Sequence, residues 1–176
     1  MIIQILFVVL VIVAIVCALA SRKPDAFRVE RSIVIKASAE RVFALINDFH
    51  NFAVWSPWEK LDPNMSRSIT GSASGKGAVY EWRGNAKAGA GRMEITESQP
   101  SSKMLMRLDF LKPIKSSSTA EYVLTPQADS TTKVTWSMYG PSPFVSRIMQ
   151  VFISMDDMIG RDFETGLAQM KAAAEK

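Results

Sequence analysis

The chain has 176 residues, which is enough for one ordinary domain and too few for two. Its only cysteine is Cys17 and its only histidine is His50, so an internal disulfide, a Cys/His zinc site and a Cys–His dyad are excluded within one chain. The net charge of +4 comes from basic residues scattered among acidic ones, which argues against a nucleic-acid-binding surface. We therefore expect no nucleic-acid partner, no metal site and no cofactor.

The first twenty residues form an apolar segment that contains Gln4 and no charged residue. As an α-helix, the stretch from Ile2 to Ala20 would span the ~30 Å hydrocarbon core of a bilayer. The small residues 18–21 resemble a signal-peptide cleavage site, but a secretory signal would begin with Lys or Arg, and none precedes Arg22. We expect residues 1–21 to be an uncleaved, single-pass anchor in the cell membrane, with a cleaved signal peptide as the alternative.

Basic residues follow the apolar segment, whereas none precedes it. By the positive-inside rule, this asymmetry predicts that the rest of the chain faces the cytoplasm. Pro24 breaks any continuation of the helix, so residues 22–26 are expected to be a short linker and residues 27–176 the domain. The basic residues concerned are Arg22, Lys23, Arg28 and Arg31.

The first part of the domain reads as a strand followed by short helices. Residues 27–36 nearly alternate between apolar and polar types and predict a strand. Ser38 is the expected N-cap of a short helix that ends near Asn47. An aromatic segment from Phe49 to Trp58 follows, and because Pro57 bars a long regular helix, a second short helix or turn is expected there.

Five further segments, separated by Gly and Pro turn signals, alternate with period two and predict an antiparallel meander. In each segment every second residue is apolar and the residues between are charged or polar, as in a sheet that is covered on one face. Gly71, Gly75 and Gly77 lack the Lys-Ser/Thr ending of a phosphate loop and predict a hairpin loop. The predicted strands are Val79 to Arg83, Arg92 to Glu97, Met104 to Leu111, Ser117 to Thr125 and Thr132 to Tyr139.

The C-terminal region predicts one long helix. Ser142 followed by Pro143 is the expected N-cap and first turn of a helical region that runs nearly to Lys176. Gly160 indicates either a break or a close backbone approach. Apolar residues spaced by three or four predict one buried stripe. The stripe consists of Ile148, Phe152, Met155, Ile159, Phe163, Leu167 and Met170.

Several local strings carry a resemblance to a known family. They are Val29 to Ile35, Val42 to Phe49, Trp55 to Trp58 with Asp62-Pro63, Tyr80 to Asn85, and Met158 to Glu164. With the order strand, short helices, meander and long helix, they resemble the START-like (SRPBCC) superfamily, and within it membrane-anchored bacterial polyketide cyclase/dehydrase-like proteins. The resemblance implies an α+β helix-grip fold, in which a curved antiparallel β-sheet wraps around a long C-terminal helix, here preceded by one N-terminal transmembrane helix. It also implies a cavity between sheet and helix.

The residue pattern assigns no catalytic group. His50 has no Ser or Cys partner in any recognised motif, and a structural or surface role is favoured for it. Glu81 and Asp109 occupy strand positions between the apolar residues, so they are expected on the solvated face of the sheet. Trp55 and Trp58 indicate bracing of a helix against the sheet more than ligand binding.

The strand positions predicted to face the interior carry many methionines and aromatic residues. Methionine is flexible and polarisable and suits an adaptable binding surface, although packed cores also use it. Tyr122 and Trp136 would supply polar groups that orient an apolar ligand. The predicted ligand-binding residues are Tyr80, Trp82, Met93, Met104, Met106, Phe110, Tyr122, Trp136, Met138, Phe152 and Phe163.

These observations favour a membrane-tethered binding or transport module for a hydrophobic or amphiphilic small molecule, such as a lipid or a polyketide-like compound, held between the sheet and the C-terminal helix. A cyclase/dehydrase-type enzyme acting on such a ligand is one alternative, although the pattern places no carboxylate on the inward face. A protein-interaction or chaperone-accessory module is the other alternative, which an exposed apolar patch over a filled interior would favour. Binding without catalysis is the preferred hypothesis.

Overall fold

The computed structural model describes residues 1–176 as an N-terminal helix followed by an α+β domain. Helix α1 (Ile2–Ser21) has no charged side chain, and Ala20 is its one buried residue. Its length and composition are those of a membrane span or of a signal sequence. Four residues then lead into the first strand of the domain.

A seven-stranded antiparallel sheet forms the body of the domain, in the spatial order β1-β7-β6-β5-β4-β3-β2. Each strand from β2 to β6 pairs with the next in sequence, and β1 pairs with β7. Register shifts between β4 and β5, at Ala90/Gly91 and at Ile95/Glu97, bend the sheet. The strands are β1 (Ala26–Ile35), β2 (Ser66–Gly71), β3 (Ala78–Arg83), β4 (Ala90–Gln99), β5 (Lys103–Lys112), β6 (Ser116–Pro126) and β7 (Thr132–Pro141).

Strand β2 was not among the predicted strands. Ile69 is its only large apolar residue, so this edge strand has no alternation that a hydrophobic pattern could reveal. The loop between β2 and β3 is the expected hairpin loop, and Gly71, Gly75 and Gly77 all have positive φ in it. A Cβ at Gly71 would lie 2.2 Å from the carbonyl oxygen of Gly77, so the turn requires glycine there.

Short helices connect β1 to β2. Helix α2 (Ala39–Ile46) begins as expected at Ser38, whose side chain accepts a hydrogen bond from the backbone N–H of Arg41 at 3.4 Å. The aromatic segment then forms short helical turns in place of one regular helix. These are a 3₁₀ turn at Phe49–Asn51, helix α3 (Phe52–Trp55) and a 3₁₀ turn at Pro57–Lys60.

The C-terminal region is two helices, α4 (Phe144–Phe152) and α5 (Met155–Ala174), so the expectation of one helix is wrong. The break lies before Ser154, whose hydroxyl accepts from the backbone N–H of Asp157 at 3.2 Å and caps α5. Ser142 is not a cap. Its hydroxyl accepts from Nε2 of Gln150 at 2.6 Å.

Gly160 lies inside α5 and marks a close approach instead of a break. A Cβ there would lie 2.2 Å from Nη2 of Arg31 on β1. This guanidinium donates to Asp156 Oδ2 at 2.8 Å and to Glu164 Oε1 at 2.7 Å. Hydrogen bonds from Arg31 lower the pKa of Asp156, and the carboxylates raise the pKa of Arg31. The ion pairs therefore tie β1 to the start of α5.

One face of the sheet is buried under α5 and the short helices. On β6, for example, Ser118, Ala120, Tyr122 and Leu124 are buried while the residues between them are more exposed. Helix α5 packs mainly against β1 and also against α2 and α3. The predicted one-sided sheet around a C-terminal helix is confirmed, and the fold is of the helix-grip type.

Candidate ligand-binding cavity

A cavity of about 470 Å³ lies between the concave face of the sheet and the helices that cover it, and 23 of its 34 lining residues are hydrophobic. Strands β3 to β7 form one wall, and α3, α4 and α5 form the other. Its size and composition fall in the range of small-molecule binding pockets. All four tryptophans of the chain line it, namely Trp55, Trp58, Trp82 and Trp136.

An aromatic cluster centred on Trp136 closes one side of the cavity. The Trp136 ring stacks on Phe163 of α5, with centroids 4.0 Å apart and planes inclined by 9°. Tyr122 stacks on Trp136 at 5.0 Å, and Trp55 and Trp58 each meet it edge-on at 5.5 Å. Stacked and edge-to-face arrangements are the geometries that aromatic pairs prefer, so these contacts stabilise this side of the cavity.

Two polar groups lie within this aromatic cluster. The indole Nε1 of Trp136 is buried and has no hydrogen-bond partner within the protein. Tyr122 is fully buried, and desolvation raises the pKa of its hydroxyl well above the ordinary value, so the group stays protonated. An unsatisfied buried donor costs free energy, so the cluster favours a hydrogen-bond acceptor beside it.

A separate hydrogen-bonded set of polar side chains in the cavity region consists of Glu59 and its partners Tyr80 and Arg67. The hydroxyl of Tyr80 donates to Oε1 of Glu59, and Nε of Arg67 donates to Oε2 at 2.6 Å. Burial and the Glu59 carboxylate raise the pKa of Tyr80 well above its ordinary value. Glu59 and Tyr80 both line the cavity, so a carboxylate and a protonated phenol stand together in its wall.

The expectation that no carboxylate faces inward is wrong, because both Glu59 and Asp162 line the cavity. Glu59 lies in the short 3₁₀ turn Pro57–Lys60, which has no repeating pattern of buried and exposed positions from which its inward direction could be predicted. Asp162 flanks the apolar stripe of α5 and accepts a hydrogen bond from Nε1 of Trp58 at 3.0 Å. The sequence holds one signal for such an acceptor: a buried tryptophan usually donates its indole N–H to a hydrogen-bond acceptor nearby.

Nine of the eleven predicted ligand-binding residues line the cavity. Met104 is fully buried but packs in the core beside it. Phe152 is 71% exposed at the end of α4, because the break before Ser154 removes this turn from the stripe of α5. The nine residues are Tyr80, Trp82, Met93, Met106, Phe110, Tyr122, Trp136, Met138 and Phe163.

The other titratable residues considered from the sequence lie outside the cavity. His50 is an exposed residue whose Nδ1 lies 2.7 Å from Oδ1 of Asp48. Asp109 accepts a hydrogen bond from Nε of Arg107 at 2.8 Å on the outer face of the sheet, and Glu81 is exposed. None of them contacts the space that a ligand would fill.

The mouth of the cavity lies at one end of the sheet. The antiparallel register brings the start of β1, the end of β7, the β3–β4 loop and the β5–β6 turn to this end. Most of the exposed lining residues belong to it. They are Lys87, Ile114, Ser116, Pro141, Pro143, Met149 and Met158.

Comparison with known proteins agrees with this geometry. The model of the family described as polyketide cyclase / dehydrase and lipid transport matches residues 26–175. CV1439 from Chromobacterium violaceum is 16% identical, with a TM-score of 0.58 over 88% of this chain and 99% of that chain. Zhui aromatase/cyclase from Streptomyces sp. R1128 is 14% identical, with a TM-score of 0.60 over 85% and 94%.

The Aha1 dimer from Colwellia psychrerythraea is 16% identical, with a TM-score of 0.57 over 85% of this chain and 96% of that chain. No curated protein matches the chain in sequence. At these identities the solved structures show a shared fold.

Proposed function

The chain belongs to the polyketide cyclase / dehydrase and lipid transport family, and on this premise we propose that it is a membrane-tethered module that binds a hydrophobic or amphiphilic small molecule in its cavity. The cavity itself carries the proposal. A close-packed domain has few voids larger than a water molecule, whereas this one leaves a cavity of about 470 Å³, open at its mouth, between mostly apolar walls. Such a space suits a lipid or a polyketide-like compound.

The polar groups of the wall indicate what kind of ligand fits. Trp136 lines the cavity and its Nε1 has no partner within the protein, which favours a ligand that carries an acceptor oxygen. Glu59 and Tyr80 are hydrogen-bonded to each other, so they form a polar part of the cavity wall that does not require a charged ligand. The ligand class we propose is therefore an apolar body with a small number of hydroxyl, carbonyl or ester groups.

Helix α1 supports the proposed tether. It is long and apolar enough to cross a bilayer, and the basic residues Arg22 and Lys23 follow it directly. Because the basic residues follow the helix, the proposed orientation places the domain in the cytoplasm. A tether beside a bilayer keeps the cavity close to the place where apolar ligands are most concentrated.

The test uses the four tryptophans as reporters, because all of them line the cavity. A polyene fatty acid bound inside should accept excitation energy from them in the full chain held in phospholipid nanodiscs, and the transfer should saturate. In the variant Ala120→Phe the new ring fills part of the cavity, since Ala120 is a buried lining residue, and saturable transfer should disappear.

The matched control is Thr119→Phe, which puts the same ring on the opposite face of β6. It should bind the probe as the wild type does. Equal energy transfer in all three proteins would mean that the probe resides in the lipid, and it would overturn the binding proposal.

A second candidate function is a cyclase/dehydrase-type enzyme, and the specific observation that favours it is the carboxylate–phenol pair of Glu59 and Tyr80 in the cavity wall. A positioned acid–base pair contributes on the order of 10²–10⁴-fold to a proton-transfer step. Glu59→Gln and Tyr80→Phe should then retain ligand binding but lose turnover of an aromatic polyketide substrate. Unchanged turnover in both variants would exclude this pair as the catalytic groups.

A further inference from the structure

Helix α4 is amphipathic with its apolar face turned away from the domain. Its half-buried residues are the polar Ser146, Arg147 and Gln150 together with Ile148 and Val151, and Nε of Arg147 is buried without a partner. A surface helix of a globular protein normally shows the reverse arrangement. The outward residues of α4 are Phe144, 41% exposed, Val145, 65%, Met149, 47%, and Phe152, 71%.

Four of the seven remaining exposed large apolar side chains of the domain lie beside this face. Leu111 and Ile114 project from the end of β5 and the β5–β6 turn, and Ile153 and Met158 lie at the α4–α5 junction. All belong to the end of the sheet that carries the cavity mouth. These four residues and the outward face of α4 are called the apolar end. The exposed large apolar residues elsewhere in the domain are Val34, Val54 and Leu61.

Helix α1 locates the apolar end relative to a bilayer. It packs against α4, and the residues of α1 that lose exposure are Val16, Cys17 and Ala20 in its last turns. At 1.5 Å per residue these positions lie within about 8 Å of the helix end. The start of α4 is also held there, since the backbone N–H of Ser142 donates to the carbonyl of Asp25 in the linker at 2.6 Å.

Any element that touches the last turns of a membrane span lies at the boundary between the hydrocarbon and the headgroups. Resting on the membrane tether of the proposed function, we propose that α4 lies in this interfacial layer with its apolar face inserted. The cavity mouth then opens onto the layer, and the ligand passes between bilayer and cavity without crossing bulk water. Amphipathic helices at membrane surfaces insert their apolar face by ~5–10 Å into this region.

The charges around the apolar end match this partner. Arg22 and Lys23 follow α1, Lys112 ends β5, and Lys115 and Lys87 lie on the loops around the mouth. The acidic residues of the linker and of the first turn of α5 are Asp25, Asp156 and Asp157, and Asp156 is paired with Arg31. Lysine and arginine beside an inserted apolar surface attract anionic headgroups. A second copy of the chain would bring the same positive charges against one another, so a bilayer fits the surface better.

The test places an environment-sensitive fluorophore on the surface of the full chain in vesicles. Val145→Cys and Val54→Cys, each in a Cys17→Ala background, give labels on valines that are 65% and 53% exposed. The label at Val145 should emit at shorter wavelength and be quenched by spin-labelled lipid, whereas the label at Val54 should behave as in water. A shift at Val145 without quenching by lipid would indicate contact with another protein copy and overturn the proposal, as would equal behaviour at both sites.

A transfer experiment separates this proposal from the binding function. Val145→Asp with Phe152→Asp should slow the transfer of the polyene fatty acid from vesicles into the cavity about tenfold or more, because two inserted side chains become charged. Saturable binding of the probe at equilibrium should be retained. If the wild type binds no probe, the binding function fails whatever the fluorophore labels report. If binding is normal and the double variant transfers at the wild-type rate, only the membrane role of α4 fails.

Discussion

Met106 and Met104 offer a matched pair for testing whether the cavity exists in solution. Both lie on β5, face the same side of the sheet and are essentially fully buried, but only Met106 lines the cavity. In Met106→Trp the additional ring atoms can enter about 470 Å³ of free space. In Met104→Trp they must displace packed neighbours, and overpacking of this kind costs about 1–3 kcal/mol.

The expected difference is measurable as a melting temperature. For a domain of this size each kcal/mol lowers the Tm by about 2–4 °C, so Met104→Trp should melt about 2–12 °C below the wild type. Met106→Trp should melt close to the wild type, and the polyene probe should no longer bind to it. Circular dichroism of the sheet in nanodiscs gives the Tm. Equal losses of Tm in the two variants would refute the reasoning, because the wall at Met106 would then be as closely packed as the core at Met104.

Three further predictions concern α5 and the anchor. Gly160→Ala should destabilise the wild type, because the new methyl group displaces the Arg31 guanidinium. In an Arg31→Ala background the same substitution should stabilise the protein by up to ~1 kcal/mol through helix propensity. Equal effects of Gly160→Ala on urea unfolding in the two backgrounds would contradict the contact with Arg31. Because Arg31 lowers the pKa of Asp156, their ion pair contributes at pH values above the ordinary carboxyl pKa and is lost as the pH falls through the lowered one. The stability difference between wild type and Arg31→Met should therefore shrink between about pH 5 and pH 2, and a difference independent of pH would argue against the pair. A reporter fused after Lys176 should be active in the cytoplasm, on a protein whose N-terminus is Met1, and a mature start at Ser21 would show that the segment is a signal peptide.

The strands that alternate cleanly were predictable, because period two records which face of a strand is buried. Strand β2 was not, since Ile69 alone carries no period. The break before α5 did leave a signal, because Ser154 is followed by Asp156 and Asp157, and a hydroxyl before acidic residues is typical of a helix start. The apolar spacing continues across the break, and the pattern therefore places the exposed Phe152 on the buried stripe.

The cavity lay beyond what the sequence could establish. The alternating pattern shows that a side chain faces inward, but it is the same for a side chain that contacts a neighbour and for one that lines an empty space. Met104 and Met106 are therefore indistinguishable in the sequence. The difference depends on how far the helices stand from the sheet. Glu59 was missed for a related reason, because its 3₁₀ turn has no repeating face.

If the chain is the membrane-tethered binding module proposed above, the short connection between α1 and β1 limits where ligand can be delivered. Four residues separate Ser21 from Ala26, and even fully extended they would span only about 14 Å. With α1 embedded, the domain diffuses in two dimensions and cannot reach across to a second membrane, because its own radius of gyration is about 15 Å. Handover of ligand is then confined to acceptors in the same bilayer or to soluble acceptors that approach it. Replacing residues 22–25 with a long flexible linker would dilute such encounters without altering a single contact in the cavity.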